Sequence, residues 1–262
     1  MSPVKILVIN PNSNQGFTKA LEPLVAQLGY TDAHCDFFTC PEQQPPLSSL
    51  EDIDRSAALC LPHILPYFET HDALLVACFS RHPLVTQLRT ALNKRRVDTP
   101  TVKPRVCAVT GIFEASVVTA MNLAGSAPER KWGVISTDHS WRQWTDDAIT
   151  DFMGIDAPKA TIGRYLGCET VGVQAEELER KSESVMAGYV KTALELLLRG
   201  QNLEKSGAPV IILGCAGLHQ LEGSIRRCSK ELLGDANGTE VAVVDGVKVG
   251  IGMLLTLVKS QC

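Results

Sequence analysis

Short apolar and β-branched runs alternate with longer helical patterns along the whole chain, and that alternation is the signature of a parallel sheet with crossover helices. The fold class it predicts is α/β. Strands are expected at Lys5 to Asn10, Cys35 to Thr39, Ala73 to Ala77, Val106 to Thr110, Trp132 to Ser136, Val210 to Leu213 and Val241 to Val244, each with a helix-like stretch after it. Ser13 or Asn14 is placed to cap the first helix, and Pro62 and Pro66 should kink or split the second. Helical spacing of apolar residues also runs from Ala175 to Arg199. The basic, proline-bearing stretch Asn93 to Arg105 reads as a linker. The expected division is residues 1–103 with 246–262 as one doubly wound half, and 104–245 as the other. In such sheets ligands bind beyond the carboxyl ends of the strands.

With 262 residues, 45% of them hydrophobic, the chain can bury one large or two small cores. Lys and Arg total 25 against 29 Asp and Glu, without a basic block, so the electrostatic footprint of a nucleic-acid partner is missing. The apolar run Ile6 to Ile9 ends at Asn10 and Pro11, too short for a signal core or a membrane span. Nine cysteines, odd in number and without CxxC pairs, read as reduced thiols, which points to a cytoplasmic protein. Cys262 is not at the prenylation position and reads as a frayed tail.

Two of the nine cysteines share a context. Leu74-Leu75-Val76-Ala77-Cys78-Phe79-Ser80-Arg81-His82-Pro83-Leu84 overlays Ile211-Ile212-Leu213-Gly214-Cys215-Ala216-Gly217-Leu218-His219-Gln220-Leu221. In both, aliphatic residues lead through a small residue to Cys, with a further small residue, a His and a Leu at matching places. This reads as an internal pseudo-repeat, one copy per half, that brings Cys78 and Cys215 to a shared cleft. Inverting a carbon acid needs a base on one face and an acid on the other, exchanging roles in the reverse direction, and a thiolate with a thiol does this symmetrically. A helix N-terminus after each strand would favour the thiolate, and its amides would hold a developing enolate oxygen. His82 and His219 either steady their thiols from one turn away or cap and pack. Cys35, Cys40, Cys60, Cys107, Cys168 and Cys228 read as buried structural thiols.

These segments, with Ile9-Asn10-Pro11-Asn12-Ser13, Thr110-Gly111-Ile112-Phe113-Glu114-Ala115-Ser116 and Val244-Asp245-Gly246-Val247, resemble the hydantoin racemase branch of the aspartate/glutamate racemase superfamily. The resemblance implies two pseudo-symmetric α/β halves with the active site in the cleft between them. It also implies cofactor-independent proton exchange at the asymmetric carbon of a hydantoin by Cys78 and Cys215. Carried over residue by residue, it makes Asn10, Pro11 and Asn12 the loop bordering the ligand, and Phe79, Ser80, Gly111, Ala216 and Gly217 its walls and backbone donors. Glu114 is either a site carboxylate or a buttress of the helix it opens. By analogy the resemblance also implies self-association into a homo-oligomer. Where bacterial members usually continue past the first cysteine with Gly-Asp-Pro, this chain has Ser80-Arg81-His82-Pro83, at the rim of the expected site. The serine- and glycine-rich opening and Cys-Asn-Thr segment of glutamate racemases are absent, which disfavours free amino acids as substrates.

Other chemistries fit less well. Gly246, Gly250 and Gly252 lack the dinucleotide spacing, and the six histidines form no HExxH pair or metal cluster, so neither cofactor nor metal is expected. A Cys hydrolase built on Cys215 would need its acid and then its His further along, yet only His219 follows. A decarboxylase or cis-trans isomerase acting on a small carboxylate is an alternative on the same scaffold, but a decarboxylase needs only one cysteine proton donor where this chain has two. A non-catalytic small-molecule binder is the remaining alternative. The reading that results is a racemase of 5-substituted hydantoins, allantoin foremost, acting on a small-molecule substrate with no nucleic-acid or membrane partner.

Overall fold

The computed structural model describes residues 2–41, 43, 47–98, 104–125, 130–154, 163–174, 177–178, 182–199 and 208–261. Part of the expected linker (99–103), the start of the helix read from Ala175, and Cys262 lie outside the described residues.

The chain forms β1 (Val4–Asn10), α1 (Gln15–Ala26), β2 (Ala33–Thr39), α2 (Leu50–Ile64), β3 (Ala73–Val76), α3 (Pro83–Asp98), β4 (Ala108–Gly111) and α4 (Ile112–Ala124). It continues with β5 (Trp132–Ser136), α5 (Trp141–Phe152), β6 (Tyr165–Thr170), α6 (Glu183–Leu197), β7 (Val210–Leu213), α7 (Glu222–Thr239), β8 (Ala242–Val244) and α8 (Gly246–Gln261). The strands form two parallel four-stranded sheets of one topology, β2-β1-β3-β4 and β6-β5-β7-β8. Inner strands such as β3 and β7 are buried along their full length, which is why they read as unbroken aliphatic runs rather than alternating ones.

Local chemistry sets the element ends. Asn14 caps α1 by accepting from the Gly16 N–H at 2.9 Å. Ser49 caps α2 by accepting from the Asp52 N–H at 3.1 Å, while the Asp52 carboxylate accepts from the Ser49 hydroxyl at 2.7 Å. Pro62 lies inside α2, which passes at Leu65 into a tighter 3₁₀ turn, Leu65–Glu69, carrying Pro66 near its start. The second helix is thus split near its prolines.

Three features depart from the sequence reading. β6 was not anticipated: its Tyr-Leu-Gly-Cys-Glu-Thr sequence is interrupted by Gly167 at φ 108, where the register against β5 slips by one residue between Trp132 and Val134. A bulge at an edge strand hides the strand pattern. α3 runs on to Asp98 through Lys94, Arg95 and Arg96, so this basic run is a helix end rather than a linker. Cations there oppose the negative end of the helix dipole, and Arg96 donates to the Val106 carbonyl at 3.3 Å. Finally, β4 pairs with β3, so the strand expected in the second half belongs to the first sheet. The two compact units divide after Ala115, not near 104: one holds the residues up to Ala115 and those from Val247, the other Ser116–Gly246. Each sheet's last strand therefore leads into a helix counted mainly with the other unit.

The first unit has its own core, including Leu7, Ile9, Phe68, Leu74, Val76 and Leu88. The second is built on Ile135, Val190, Leu194, Ile211, Leu213 and Ile225. Among the described residues no helix is long and apolar enough to cross a membrane.

Gly214 sits where a Cβ would lie 2.7 Å from Val134 Cγ1, 3.0 Å from Ser136 Cβ and 3.1 Å from the Ile135 carbonyl. Gly214→Ala should therefore lower unfolding stability by about 1–3 kcal/mol in urea titration. Gly223→Ala, whose Cβ would meet only Arg227 Nη1 at 3.8 Å, should leave it within about 0.5 kcal/mol.

Candidate active site

Each cysteine of the pseudo-repeat stands two residues beyond the third strand of its own sheet. In the first unit Ile9 pairs with Val76, and the Ala77 N–H donates to the Ile9 carbonyl at 2.8 Å. In the second, Ile135 pairs with Leu213, and the Gly214 N–H donates to the Ile135 carbonyl at 2.8 Å. Cys78 and Cys215 follow directly, both half-buried. The two sheets thus deliver a thiol at equivalent points beyond their carboxyl ends.

The loop after β1 is tied down by its own asparagines. The Asn10 side chain, almost fully buried, donates to the Asn14 carbonyl at 3.0 Å and to Thr18 Oγ1 at 2.9 Å, and accepts from the Asn12 N–H at 3.0 Å. Asn12 Oδ1 in turn accepts from the Asn14 N–H at 2.6 Å. Asn10 is therefore a scaffold whose polar atoms face inward, while Asn12 stays half-buried. The Pro11 carbonyl accepts from Ser56 Oγ at 2.7 Å and from Cys60 Sγ at 3.5 Å, which clamps the loop to α2.

Cys78 is held by its own turn. Its Sγ lies 3.2 Å from Ser80 Oγ. Burial pushes the thiol above its ordinary range, opposed by the Ser80 hydroxyl and the backbone N–H groups of Ser80 and Phe79. Phe79 is buried edge-on against Phe113 with ring centroids 5.4 Å apart, making it a core contact. Gly111 is adjacent: a Cβ there would fall 2.4 Å from Glu114 Oε2 and 3.0 Å from Val85 Cγ2, so only glycine lets the carboxyl fold back at this point. Burial raises the Glu114 pKa against the pull of the Glu114 and Gly111 N–H groups, Arg89 and Arg81, and its buried Oε2 has no hydrogen-bond partner among the described residues.

His82 is buried, with Nδ1 accepting from the Leu84 N–H at 3.3 Å. Burial drives its pKa down to about 3, so it is a neutral wedge locking the turn. In the second unit, Cys215 is extended (φ −161, ψ 141) and precedes the 3₁₀ turn Ala216–Leu221. Ala216 is buried and Gly217 half-buried. His219 Nδ1 lies 3.1 Å from the Ala216 carbonyl, so that nitrogen carries the ring proton and holds the turn.

Sequence reading missed the second unit's equivalent of the Asn10–Asn12 loop. Register matches Ser136, Thr137 and Asp138 to Asn10, Pro11 and Asn12, and the Ser140 N–H donates to Asp138 Oδ1 at 3.0 Å as Asn14 does to Asn12. The side chains differ at all three places, so only strand register exposes the match. Among the described residues no group of three or more His, Cys, Asp or Glu could hold a metal ion.

A doubly wound pair of sheets with a thiol beyond the third strand of each defines a class that sequence comparison identifies. Residues 6–254 match the Asp/Glu/Hydantoin racemase family, and the chain belongs to it. An uncharacterized Schizosaccharomyces pombe protein is 31% identical over 98% of this chain and 92% of its own. A hydantoin racemase from Pseudomonas sp. (strain NS671) is 25% identical over 97% of this chain and 86% of its own. Among solved structures, an allantoin racemase from Pseudomonas fluorescens superposes with a TM-score of 0.73 at 22% identity, covering 98% of this chain and 92% of that one.

The His82 environment sets a pH dependence. In the unfolded chain the imidazole titrates near 6.5, in the folded protein near 3. Its contribution to stability is therefore complete above the unfolded value and is lost as pH falls from 6.5 toward 3. The urea midpoint should fall between about pH 7 and about pH 4, and His82→Asn should flatten that slope. Burial lowers His71 as well, so the slope should shrink rather than vanish.

Proposed function

We propose that the chain is a cofactor-independent racemase of 5-substituted hydantoins, with allantoin the leading natural substrate, and that Cys78 and Cys215 serve opposite faces of the ring carbon. The observation that carries this reading is the equivalent placement of two thiols beyond matching strands, in a chain of the Asp/Glu/Hydantoin racemase family that is 25% identical to a Pseudomonas hydantoin racemase. A proton next to the ring carbonyl is weakly acidic. One cysteine, as thiolate, takes it and leaves an enolate whose negative charge rests on the adjacent oxygen, while the other thiol returns its own proton to the opposite face. The product is the mirror image, the two sulfurs have exchanged protonation states, and nothing else is consumed.

Backbone amides at the strand ends are the natural donors to the enolate oxygen, being fixed in place before the reaction begins. Asn12, Thr137 and Asp138, each just beyond a strand end, are the loop residues assigned to substrate contact in this reading; Asn10 and Pro11 hold the loop after β1 in shape. A decarboxylase, which needs one cysteine as proton donor, gives no reason for the second thiol.

The test is circular dichroism decay of enantiopure allantoin and alkyl- and aryl-hydantoins, with deuterium uptake at the ring carbon read by NMR in heavy water. Wild type should racemise at least one of them with deuterium entering the inverted product. Cys78→Ser and Cys215→Ser should each lower racemisation at least about 100-fold. Each should still allow exchange that starts from one enantiomer only. Full racemisation in both single variants, or no exchange with any hydantoin, would contradict the proposal.

A further inference from the structure

We infer that Ser80 is a positioning residue that stabilises the thiolate form of Cys78; the inference rests on the racemase reading for its consequence, but not for its test. The geometry is direct. Ser80 Oγ lies 3.2 Å from Cys78 Sγ, and while the sulfur is protonated either atom can donate. Once Cys78 ionises, only the hydroxyl can, so the contact is stronger in the thiolate state than in the thiol state. That difference is what moves a proton equilibrium.

The turn that holds the hydroxyl there is over-determined. Arg81, next in sequence, is the one non-glycine with positive φ (49°) among the described residues. An L-residue pays conformational energy for that backbone state, which persists only when its surroundings fix it. On the far side of Arg81 the buried His82 ring accepts from the Leu84 N–H at the start of α3, which anchors the turn from below. Ser80 is thus held between a fixed sulfur and a fixed backbone.

The second unit supplies an internal contrast. The residue two beyond Cys215 is Gly217, which has no side chain to offer its thiol. The pseudo-repeat therefore carries a hydroxyl beside one sulfur and none from the matching place beside the other. The titratable group that reaches Cys78 electrostatically from α2 is Cys60, itself hydrogen-bonded to Cys40 and held protonated by burial, so it brings no charge to the site.

The test reads the thiols without substrate. Rates of iodoacetamide alkylation are measured across pH for wild type, Ser80→Ala and Ser80→Thr, with Cys78 and Cys215 separated as peptides by mass spectrometry and folding checked by circular dichroism. In Ser80→Ala the Cys78 midpoint should rise by about one pH unit, about a tenfold loss of thiolate at a fixed lower pH. Ser80→Thr, which keeps the hydroxyl, should restore it, and the Cys215 midpoint should stay in place throughout. An unmoved Cys78 midpoint in folded Ser80→Ala, or equal shifts at both cysteines, would overturn the inference. A Cys78 shift in a protein inert toward every hydantoin would uphold it and reject the racemase reading instead.

Discussion

The ladder between the first and third strands of each sheet is the constraint on which the site depends. Ile9 against Val76 and Ile135 against Leu213 fix where each chain leaves its sheet, and the next backbone hydrogen bond, from Ala77 or Gly214, fixes the direction in which the cysteine departs. A slip of one residue would send every side chain of the strand to the opposite face. It would also move the thiol from the loop into the ladder. Burial of β3 and β7 on both faces makes such a slip costly, so the positions of the sulfurs are set by the cores beneath them.

Above that ladder, polar groups are spent on rigidity before they are spent on a ligand. Asn10 and Asn12 satisfy their own loop, the Pro11 carbonyl takes two donors from α2, and His82 and His219 brace the turns that carry the thiols. The sulfurs of Cys78 and Cys215 stay half-buried at the strand ends, with the Ser80 hydroxyl beside the first of them. In the proposed reaction, donors fixed in advance would replace water around a developing charge.

Much of this was legible in the sequence because aliphatic runs and the paired cysteine segments report directly on strand burial and strand ends. Trp132–Ser136 and Val210–Leu213 stand where the apolar runs placed them. Edge and boundary features were not legible. β6 is disguised by a glycine bulge, Lys94 to Arg96 look like a linker but form a helix end, and the pairing of β4 with β3 is a long-range choice that no local pattern encodes. Side-chain commitments were also hidden. The family resemblance implies that Asn10 and Phe79 line the ligand, but it carries no sign of the hydrogen bonds that Asn10 makes within its own loop or of the packing of Phe79 against Phe113. The Ser136–Thr137–Asp138 loop escaped notice since its likeness to the first loop lies in register rather than in residue type.

In the proposed mechanism the sulfurs of Cys78 and Cys215 approach one bound carbon from opposite sides. Its most direct measurement is bridging by the short bifunctional alkylator 1,3-dichloroacetone, with the cross-linked peptides identified by mass spectrometry in the presence and absence of a hydantoin. A Cys78–Cys215 bridge should form on the folded protein and be suppressed by the hydantoin. Alkylation of both cysteines as separate adducts, with no bridge between them at any reagent concentration, would contradict it.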